Sequence, residues 1–465
     1  MLKEGISEMK KHEIDMINGP LLGKILLFAL PLMCSSILQL LFNAADIVVV
    51  GHFAGDNSLA AVGSTSALIN LMVNLFVGLS VGANVLAAKY LGAKEEEALS
   101  KTVHTAILIS IVSGIFLAGF GAVFSRQLLE WMSSPEDVIE LSALYLRIYF
   151  MGMPAMMVYN FGAALLRAKG DTQRPLYFLL FSGVINVGLN LLFVIAFRMD
   201  VAGVAMATVI AQCISAALIL SCLCRESGAF HLTLRNLHMD KNTVLQIVRI
   251  GLPAGFQGVV FSLSNVVIQA SVNSFGSVVV AGNSAAANIE GFVYVAMNAF
   301  HQAAVSFVGQ NMGAGKYKRI QKILFQCICC VTVVGLVLGN GAVLFGNQLL
   351  RIYTNDEAVI AEGMVRMKVI CGTYALCGIM DVLVGALRGM GYAIVPMIVS
   401  LLGACGLRLL WVATVFKIPK YHTLTVLFLS YPVSWAITAS VHLICFVILF
   451  ARVRRRATFK SLDKA

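Results

Sequence analysis

Charge is scarce in this chain. Of its 465 residues only 12% are charged while 59% are hydrophobic, and soluble proteins hold roughly 45–50% apolar residues even with glycine counted. That scarcity excludes a water-soluble globular protein and places the chain in a lipid bilayer. Helix breakers are few as well, with nine prolines in all. The first 20 residues lack the apolar core and cleavage site of a secretory leader and carry Lys10, Lys11 and Glu13 instead, so no removable signal peptide is expected.

The signals of catalysis are equally thin. Eleven cysteines fall mostly inside apolar runs, and neither Cys222/Cys224 nor Cys327/Cys329/Cys330 has the spacing or histidine partners of a metal site. They read as small packing residues. Gly313-Ala314-Gly315-Lys316 has a glutamine, Gln310, where a phosphate loop needs its first glycine, and Tyr317 where it needs Ser or Thr. The eight histidines form no HExxH motif and no Ser/His/Asp set. A nucleotide-driven motor, a metalloenzyme and a lipid-modifying membrane enzyme are therefore disfavoured, and no cofactor is expected. The formal charge of +11 does not indicate nucleic acid, because the basic residues alternate with the apolar runs rather than sharing one soluble face.

What the chain has in abundance is apolar runs long enough to cross hydrocarbon, which takes roughly 20 residues of helix. Twelve spans are expected, near 22–50, 58–87, 102–124, 138–166, 175–197, 202–224, 247–273, 279–309, 321–345, 358–387, 394–416 and 424–451. This predicts an all-α polytopic membrane protein. If the N-terminus is cytoplasmic, only Arg126, Arg198, Arg351, Lys417 and Lys420 of the 34 basic residues fall in outer loops, the bias expected when Lys and Arg resist translocation. Both termini are thus assigned to the cytoplasm. The Arg452, Arg454, Arg455, Arg456 cluster suits anionic lipid at that face.

The chain also repeats itself. Leu30-Pro31 with Asn43 recurs as Leu252-Pro253 with Asn265; Leu91-Gly92-Ala93 recurs as Met312-Gly313-Ala314; Leu166-Arg167, Gly170 and Pro175 recur as Leu387-Arg388, Gly391 and Pro396. A common offset of 221–222 positions predicts two parallel, pseudo-symmetric six-helix lobes. The expected layout is an N-terminal segment 1–21, a first lobe 22–224, a linker 225–246, a second lobe 247–451 and a basic tail 452–465. Pro31, Pro154, Pro253 and Pro432 lie within spans, where they bend helices either as hinges or as static kinks. GxxxG spacings at Gly78/Gly82, Gly251/Gly255 and Gly335/Gly339 predict close helix packing.

Polar side chains are costly in hydrocarbon, so their positions carry information. Gln39, Asn43 and Asp46 share one face of the first span; Asn186 and Asn190 stand at i, i+4 in the fifth; Thr208 and Gln212 stand at i, i+4 in the sixth. Three such stripes predict a polar cavity in the first lobe, to which Tyr159 is added, with Asp46 its sole carboxylate. A carboxylate among amides and a hydroxyl can hold a proton or ligate a small hard cation through oxygen. The bland reading is that Asp46 only fixes helix register. In the second half, Ile268 and Trp411 occupy the places of Asp46 and Asn190. The ionisable residues there are Glu290, which shares a face with Tyr294 and His301, and Asp381. Asp381 precedes Arg388 by seven residues, about 10 Å of helix, and either pairs with that base or titrates.

At these residues a resemblance becomes specific. PLMCSSILQLLFNAADIVVVG from Pro31 to Gly51, LLRAKGDTQRPL, VINVGLN, SFVGQNMGAGK and ALRGMGYAIVP resemble the multidrug and toxic compound extrusion (MATE) transporters, in order and over nearly the whole chain. The resemblance implies two six-helix lobes in a V, expelling cationic or amphiphilic compounds in exchange for Na⁺ or H⁺. It implies that Asp46 is the first-helix acid, Pro31 the kink proline and Gln39 a cavity residue, with Asn186 and Thr208 the amide and hydroxyl of a first-lobe cation site. Asn190 stands where the family often has aspartate, and residues 247–273 lack the carboxylate that some members carry.

The expectation is an ion-coupled antiporter, with H⁺ or Na⁺ the coupling ion at Asp46, Asn186, Asn190 and Thr208. It would export a small amphiphilic, cationic solute from the bilayer-embedded cavity as a monomer. The first rival is a flippase for lipid-linked saccharide precursors, which would want a cationic cavity; Arg147, Arg366, Lys368 and Arg408 fall nearer span ends than centres. A membrane enzyme, receptor or channel fits less well.

Overall fold

Apolar runs of this length leave the backbone one way to satisfy its polar groups in lipid, which is to form helices. The computed structural model describes residues 13–132 and 136–462 and, among them, contains helices and no strand. The expectation for the first twelve residues lies outside those described. Ten helices are long and apolar enough to cross a membrane, and two bent helix pairs bring the number to twelve when each pair counts as one span. The all-α polytopic fold is therefore present.

In chain order the helices are α1 (Leu21–Phe53), α2 (Asp56–Ala93), α3 (Glu96–Trp131), α4 (Glu136–Met151), α5 (Met153–Lys169), α6 (Gln173–Leu191), α7 (Asp200–Arg225) and α8 (Lys241–Asn273). They continue with α9 (Ser277–Gly313), α10 (Tyr317–Leu344), α11 (Gly346–Arg351), α12 (Glu357–Ile370), α13 (Ala375–Gly389), α14 (Ile394–Ser400), α15 (Leu407–Ala413) and α16 (Leu424–Leu462). A π-helical turn, Leu192–Ala196, extends α6, and another, Leu401–Gly406, joins α14 to α15. The last helix does not stop at the membrane edge but runs on through the basic tail, whose arginines are good helix formers.

The chain divides into two units, one of residues 1–14 and 34–255, the other of 15–33 and 256–465. Within the first, two apolar clusters form the core, one around Leu86, Ile107, Phe161 and Leu166, the other around Val62, Leu129, Phe150 and Met157. The inter-lobe linker is ordered against this unit rather than free. It makes two 3-10 turns, buries Phe230 and Leu232, and donates the Thr233 backbone N–H to His104 Nε2 at 3.2 Å.

The repeated Leu-Arg…Gly…Pro pattern has a structural cause. Gly170 takes a left-handed φ of 104° after α5, and its N–H returns to Leu166 and Arg167 carbonyls, closing the helix. Asp171 then accepts the backbone N–H groups of Gln173 and Arg174, each at 3.1 Å, and Pro175 sits in the first turn of α6. In the second unit Gly391 repeats the left-handed stop at φ 90° and Pro396 the restart. The motif encodes a helix end followed at once by a helix start.

Two bends are also repeated. The α4–α5 pair turns by 47° and the α12–α13 pair by 46°. Pro154 occupies the first turn of α5, but at the second break a 3-10 turn at Cys371–Thr373 does the same work without proline. Proline therefore accompanies the bend in one half and is not its general cause. Pro31, Pro253 and Pro432 all lie inside continuous helices.

The paired glycines have one clear use. On α2, Gly78 and Gly82 lie against Gly251, Gly255 and the Ile247 carbonyl of α8, within the first unit, so that backbone meets backbone. Any Cβ at Gly78 would run into the Gly255 main chain. Gly78→Ala should accordingly destabilise the protein by about 1–3 kcal/mol, the cost of overpacking. Gly119→Ala, which meets nothing within 4 Å, should leave the melting temperature in detergent unchanged or slightly raised; equal melting of the two variants would contradict this packing.

Candidate functional site

The first unit gathers three of the sequence-predicted polar residues around one carboxylate. α1 supplies Asp46, α6 supplies Asn186 and Asn190 one turn apart, and α7 supplies Thr208. Asp46 is 9% exposed, Asn186 5% and Asn190 not at all. Asn190 Nδ2 donates to Asp46 Oδ1. Asn186, with its amide nitrogen set toward the acid, donates to the same oxygen at 3.0 Å while its oxygen accepts the Thr208 backbone N–H at 3.3 Å; the opposite amide setting would face oxygen with oxygen. Thr208 Oγ1 reaches Asp46 Oδ2 at 3.5 Å and Val204 O at 3.0 Å. Buried negative charge is here met by neutral donors alone, with no basic residue among its hydrogen-bond or ion-pair partners.

Two features of this cluster bear on chemistry. Asn190 Oδ1 is buried and has no hydrogen-bond partner, an acceptor left over after the amide nitrogen is used. Tyr145 and Tyr149 of α4 lie within electrostatic reach of Asp46. These tyrosines are absent from the sequence reading because nothing in spacing sets them apart from packing aromatics.

The other expected first-half residues are placed elsewhere. Gln39 and Asn43 are exposed and do not join the hydrogen bonds around Asp46. The Tyr159 hydroxyl donates to the Pro175 carbonyl at 3.0 Å, and eleven residues of α6, about 16 Å of helix, separate that carbonyl from Asn186. Pro31 lies in α1, on the stretch that belongs to the second unit.

In the second unit Glu290 is not a free acid. Arg366 grips its Oε2 through Nε at 2.9 Å and Nη2 at 2.8 Å, and the Tyr374 hydroxyl donates to Oε1 at 3.2 Å. Arg366 Nη1 bonds Asn283 Oδ1 at 2.7 Å, Asn283 in turn donates to Gln269 at 2.8 Å, and the guanidinium lies over Phe428. This is a closed, charge-balanced network. Asp381 lies within electrostatic reach of Tyr294 and sits in the field of Arg388. His301 Nδ1 meets the Asp381 backbone carbonyl at 2.7 Å, and Arg388 Nη1 approaches His301 Nε2 at 3.5 Å while its Nη2 donates to Gln257 at 2.9 Å. Glu290 and His301 therefore belong to two separate hydrogen-bond sets.

One expectation is corrected. Of the basic residues expected near span ends, Arg147 and Lys368 are exposed, but Arg366 and Arg408 are buried, at 8% and 3% exposure. Arg408 Nε donates to Ser434 at 3.0 Å, and the guanidinium stacks 4.1 Å from the Tyr431 ring centroid and 5.6 Å from that of Trp435. Distance from a span end in sequence misleads here because aromatic faces and a carboxylate partner, both distant in sequence, shield these cations from lipid. Among the described residues no group of three His, Cys, Asp or Glu side chains is placed to hold a metal ion.

Comparison with known proteins matches this architecture. The family model MatE matches twice, over residues 31–192 and 253–413, in step with the internal repeat. The chain is 28% identical over 422 residues to the probable multidrug resistance protein YoeA of Bacillus subtilis, covering 89% of this chain and 90% of that one. It is 20% identical to the multidrug export protein MepA of Staphylococcus aureus, covering 80% and 83%. Among solved structures, an outward-facing MATE-family multidrug transporter aligns with a TM-score of 0.88 at 19% identity, covering 95% and 99%. A Pyrococcus furiosus transporter of the MOP superfamily, described as having a reversed binding-pocket polarity that suggests a different function, aligns at 0.89 and 19% identity, covering 95% and 98%.

The Glu290–Arg366 network makes a stability prediction. Arg366→Met leaves a buried carboxylate alone and Glu290→Leu leaves a buried guanidinium alone, so each should cost about 3–5 kcal/mol. The double variant should recover most of that loss, since removing both charges leaves nothing unpaired. Thermal unfolding of all four proteins in one detergent reads the cycle, and additive losses would show that the two side chains do not act as a pair.

Proposed function

The chain belongs to the MatE family of multidrug efflux transporters, a membrane transporter and not an enzyme, and from that premise we propose a cation-coupled antiporter whose coupling group is Asp46. The exported solutes are amphiphilic, cationic drugs or metabolites. The protein works as a monomer in the bacterial inner membrane with both termini cytoplasmic, in keeping with the bias of Lys and Arg among the loops. H⁺ or Na⁺ moving down its gradient supplies the energy.

The observation that carries this reading is the Asp46 cluster: one carboxylate, 9% exposed, surrounded by two amides and a hydroxyl contributed by two other helices. A proton added to Asp46 turns one carboxylate oxygen from acceptor into donor. On Oδ1 that proton requires a facing amide to rotate and present oxygen, for which Asn190 has an unpartnered Oδ1, whereas on Oδ2 it faces the Thr208 hydroxyl, which can accept while donating to Val204 O. Na⁺ makes a heavier demand, because a hard cation needs oxygen ligands where both amides now present nitrogen. With Asn190 in place of a second acid, the cluster holds a single negative charge, which favours H⁺ over Na⁺. Either ion alters contacts among α1, α6 and α7, the change needed to alternate exposure of the cavity. By linkage, solute binding must weaken ion binding by the factor that the ion weakens solute binding.

A second reading has its own support. Arg408 is buried, its hydrogen bond goes to a neutral hydroxyl, and its ring partners are Tyr431 and Trp435. A buried guanidinium without a carboxylate suits a substrate that carries an anionic group, such as a lipid-linked saccharide diphosphate, and the Pyrococcus furiosus transporter is described in terms of reversed pocket polarity.

Proteoliposomes loaded with a fluorescent lipophilic cation, with pH and Na⁺ gradients imposed separately, test the first reading. Wild type should export under the pH gradient, Asp46→Asn should fall to the empty-liposome background with an unchanged melting temperature, and Asn190→Asp should gain Na⁺ dependence. Full efflux by Asp46→Asn would remove Asp46 from the mechanism. The second reading is tested by Arg408→Gln: loss of translocation of a fluorescent polyprenyl diphosphate, with cation efflux kept within about twofold, a change worth under 1 kcal/mol, would favour it. No translocation of the diphosphate by wild type would end it.

A further inference from the structure

Helix α10 carries an exposed stripe that changes character along its length. Lys318, Lys322, Phe325, Cys329, Val333 and Leu336 follow one another at steps of three or four residues, so they share one face. All six are exposed, with Phe325 at 68%, Val333 at 59% and Leu336 at 47%. The first two turns of this face are basic and the remainder is apolar. The end of α16 presents a similar sequence of faces, with Arg454 exposed and Val447 and Ile444, two to three turns back, each 59% exposed.

Between the two basic ends lie adjoining hollows of about 550 and 480 Å³. Lys318 and Arg454 line both of them; Lys316 and Arg319 line the first, and Lys322, Gln321 and Phe325 the second. Among the described residues no acidic side chain lines them. Lys316 and Arg319 are held by the neutral oxygens of Met16, Ile17 and Asn18, and Asp15 is the acid within electrostatic reach of Arg319.

We infer that these hollows, formed by Lys318 and Lys322 of α10 with Arg454 of α16, bind the phosphate headgroup of an anionic phospholipid, whose acyl chains run along the Phe325–Leu336 face. Arg and Lys supply the charge-assisted donors that a phosphate diester takes. The order of the stripe selects a lipid over a soluble anion, because only a lipid presents a phosphate and a long apolar tail in the same order along one helix face. Such a site is a membrane-facing one, separate from Asp46, and it rests on the family's bilayer residence rather than on any coupling scheme.

The test uses the full-length protein in phosphatidylcholine liposomes containing a trace of phosphatidylglycerol with a photoactivatable acyl chain, followed by peptide mass spectrometry. The segment 317–336 should be labelled. In K318Q/K322Q the amount of phosphatidylglycerol needed for half-maximal labelling should rise about thirtyfold, given about 1 kcal/mol per basic residue near an anionic lipid, and in Lys101→Gln, a lysine of α3, it should not change. Both replaced side chains are exposed, so folding is not at stake. Equal labelling by a photoactivatable phosphatidylcholine, or an unchanged half-maximum in the double variant, would overturn the site. Displacement of the label by excess inorganic phosphate would also overturn it, leaving a soluble-anion site in place of a lipid site.

Discussion

A carboxylate that leaves water must find hydrogen-bond donors within the protein, and in hydrocarbon the alternatives are few. Asp46 meets that demand with neutral groups, the amides of Asn186 and Asn190 and the hydroxyl of Thr208. Because its partners carry no charge, the acid keeps an unbalanced electrostatic field that a mobile cation can answer. These donors tie Asp46 of α1 to α6 and α7 within the first unit.

The second unit shows the contrasting arrangement. Glu290 is held by two nitrogens of Arg366 and by Tyr374, so its charge is neutralised where it stands. Such a network fixes geometry and offers an ion little, since entry would have to displace a bidentate guanidinium. Asp381, Arg388 and His301 form a looser set in which the histidine bonds a main-chain carbonyl. Two lobes built from one repeat have therefore spent their buried polar groups differently.

Symmetry survives better in the backbone than in side chains. The left-handed glycines at 170 and 391 and the bends of 47° and 46° recur at the repeat spacing, although only one bend carries a proline. Helix ends and bends are set by local φ/ψ preference and by which groups can cap a helix, so they tolerate divergence of the residues around them. Polar side chains answer to partners on other helices and diverge with them.

The sequence alone determined that the chain lies in a membrane, that it is helical and that it is double, and it put Asp46, Asn186, Asn190 and Thr208 on polar stripes, although Gln39 and Asn43 of the Asp46 stripe are exposed. These follow from hydropathy, periodicity and repetition, which are properties of neighbouring residues. The repeated Gly170/Pro175 and Gly391/Pro396 pattern was legible too, though its meaning as a helix stop and restart needed the φ angles. Tertiary structure alone decided that Glu290 is paired and that Arg366 and Arg408 are buried. It alone decided that the linker folds onto the first unit through Phe230 and Leu232. It also set Tyr159 to bond Pro175 rather than the acid cluster. The physical reason is that a helical period tells which side chains share a face, whereas the charge state, burial and partner of a side chain depend on what another helix, dozens of residues away, brings opposite to it.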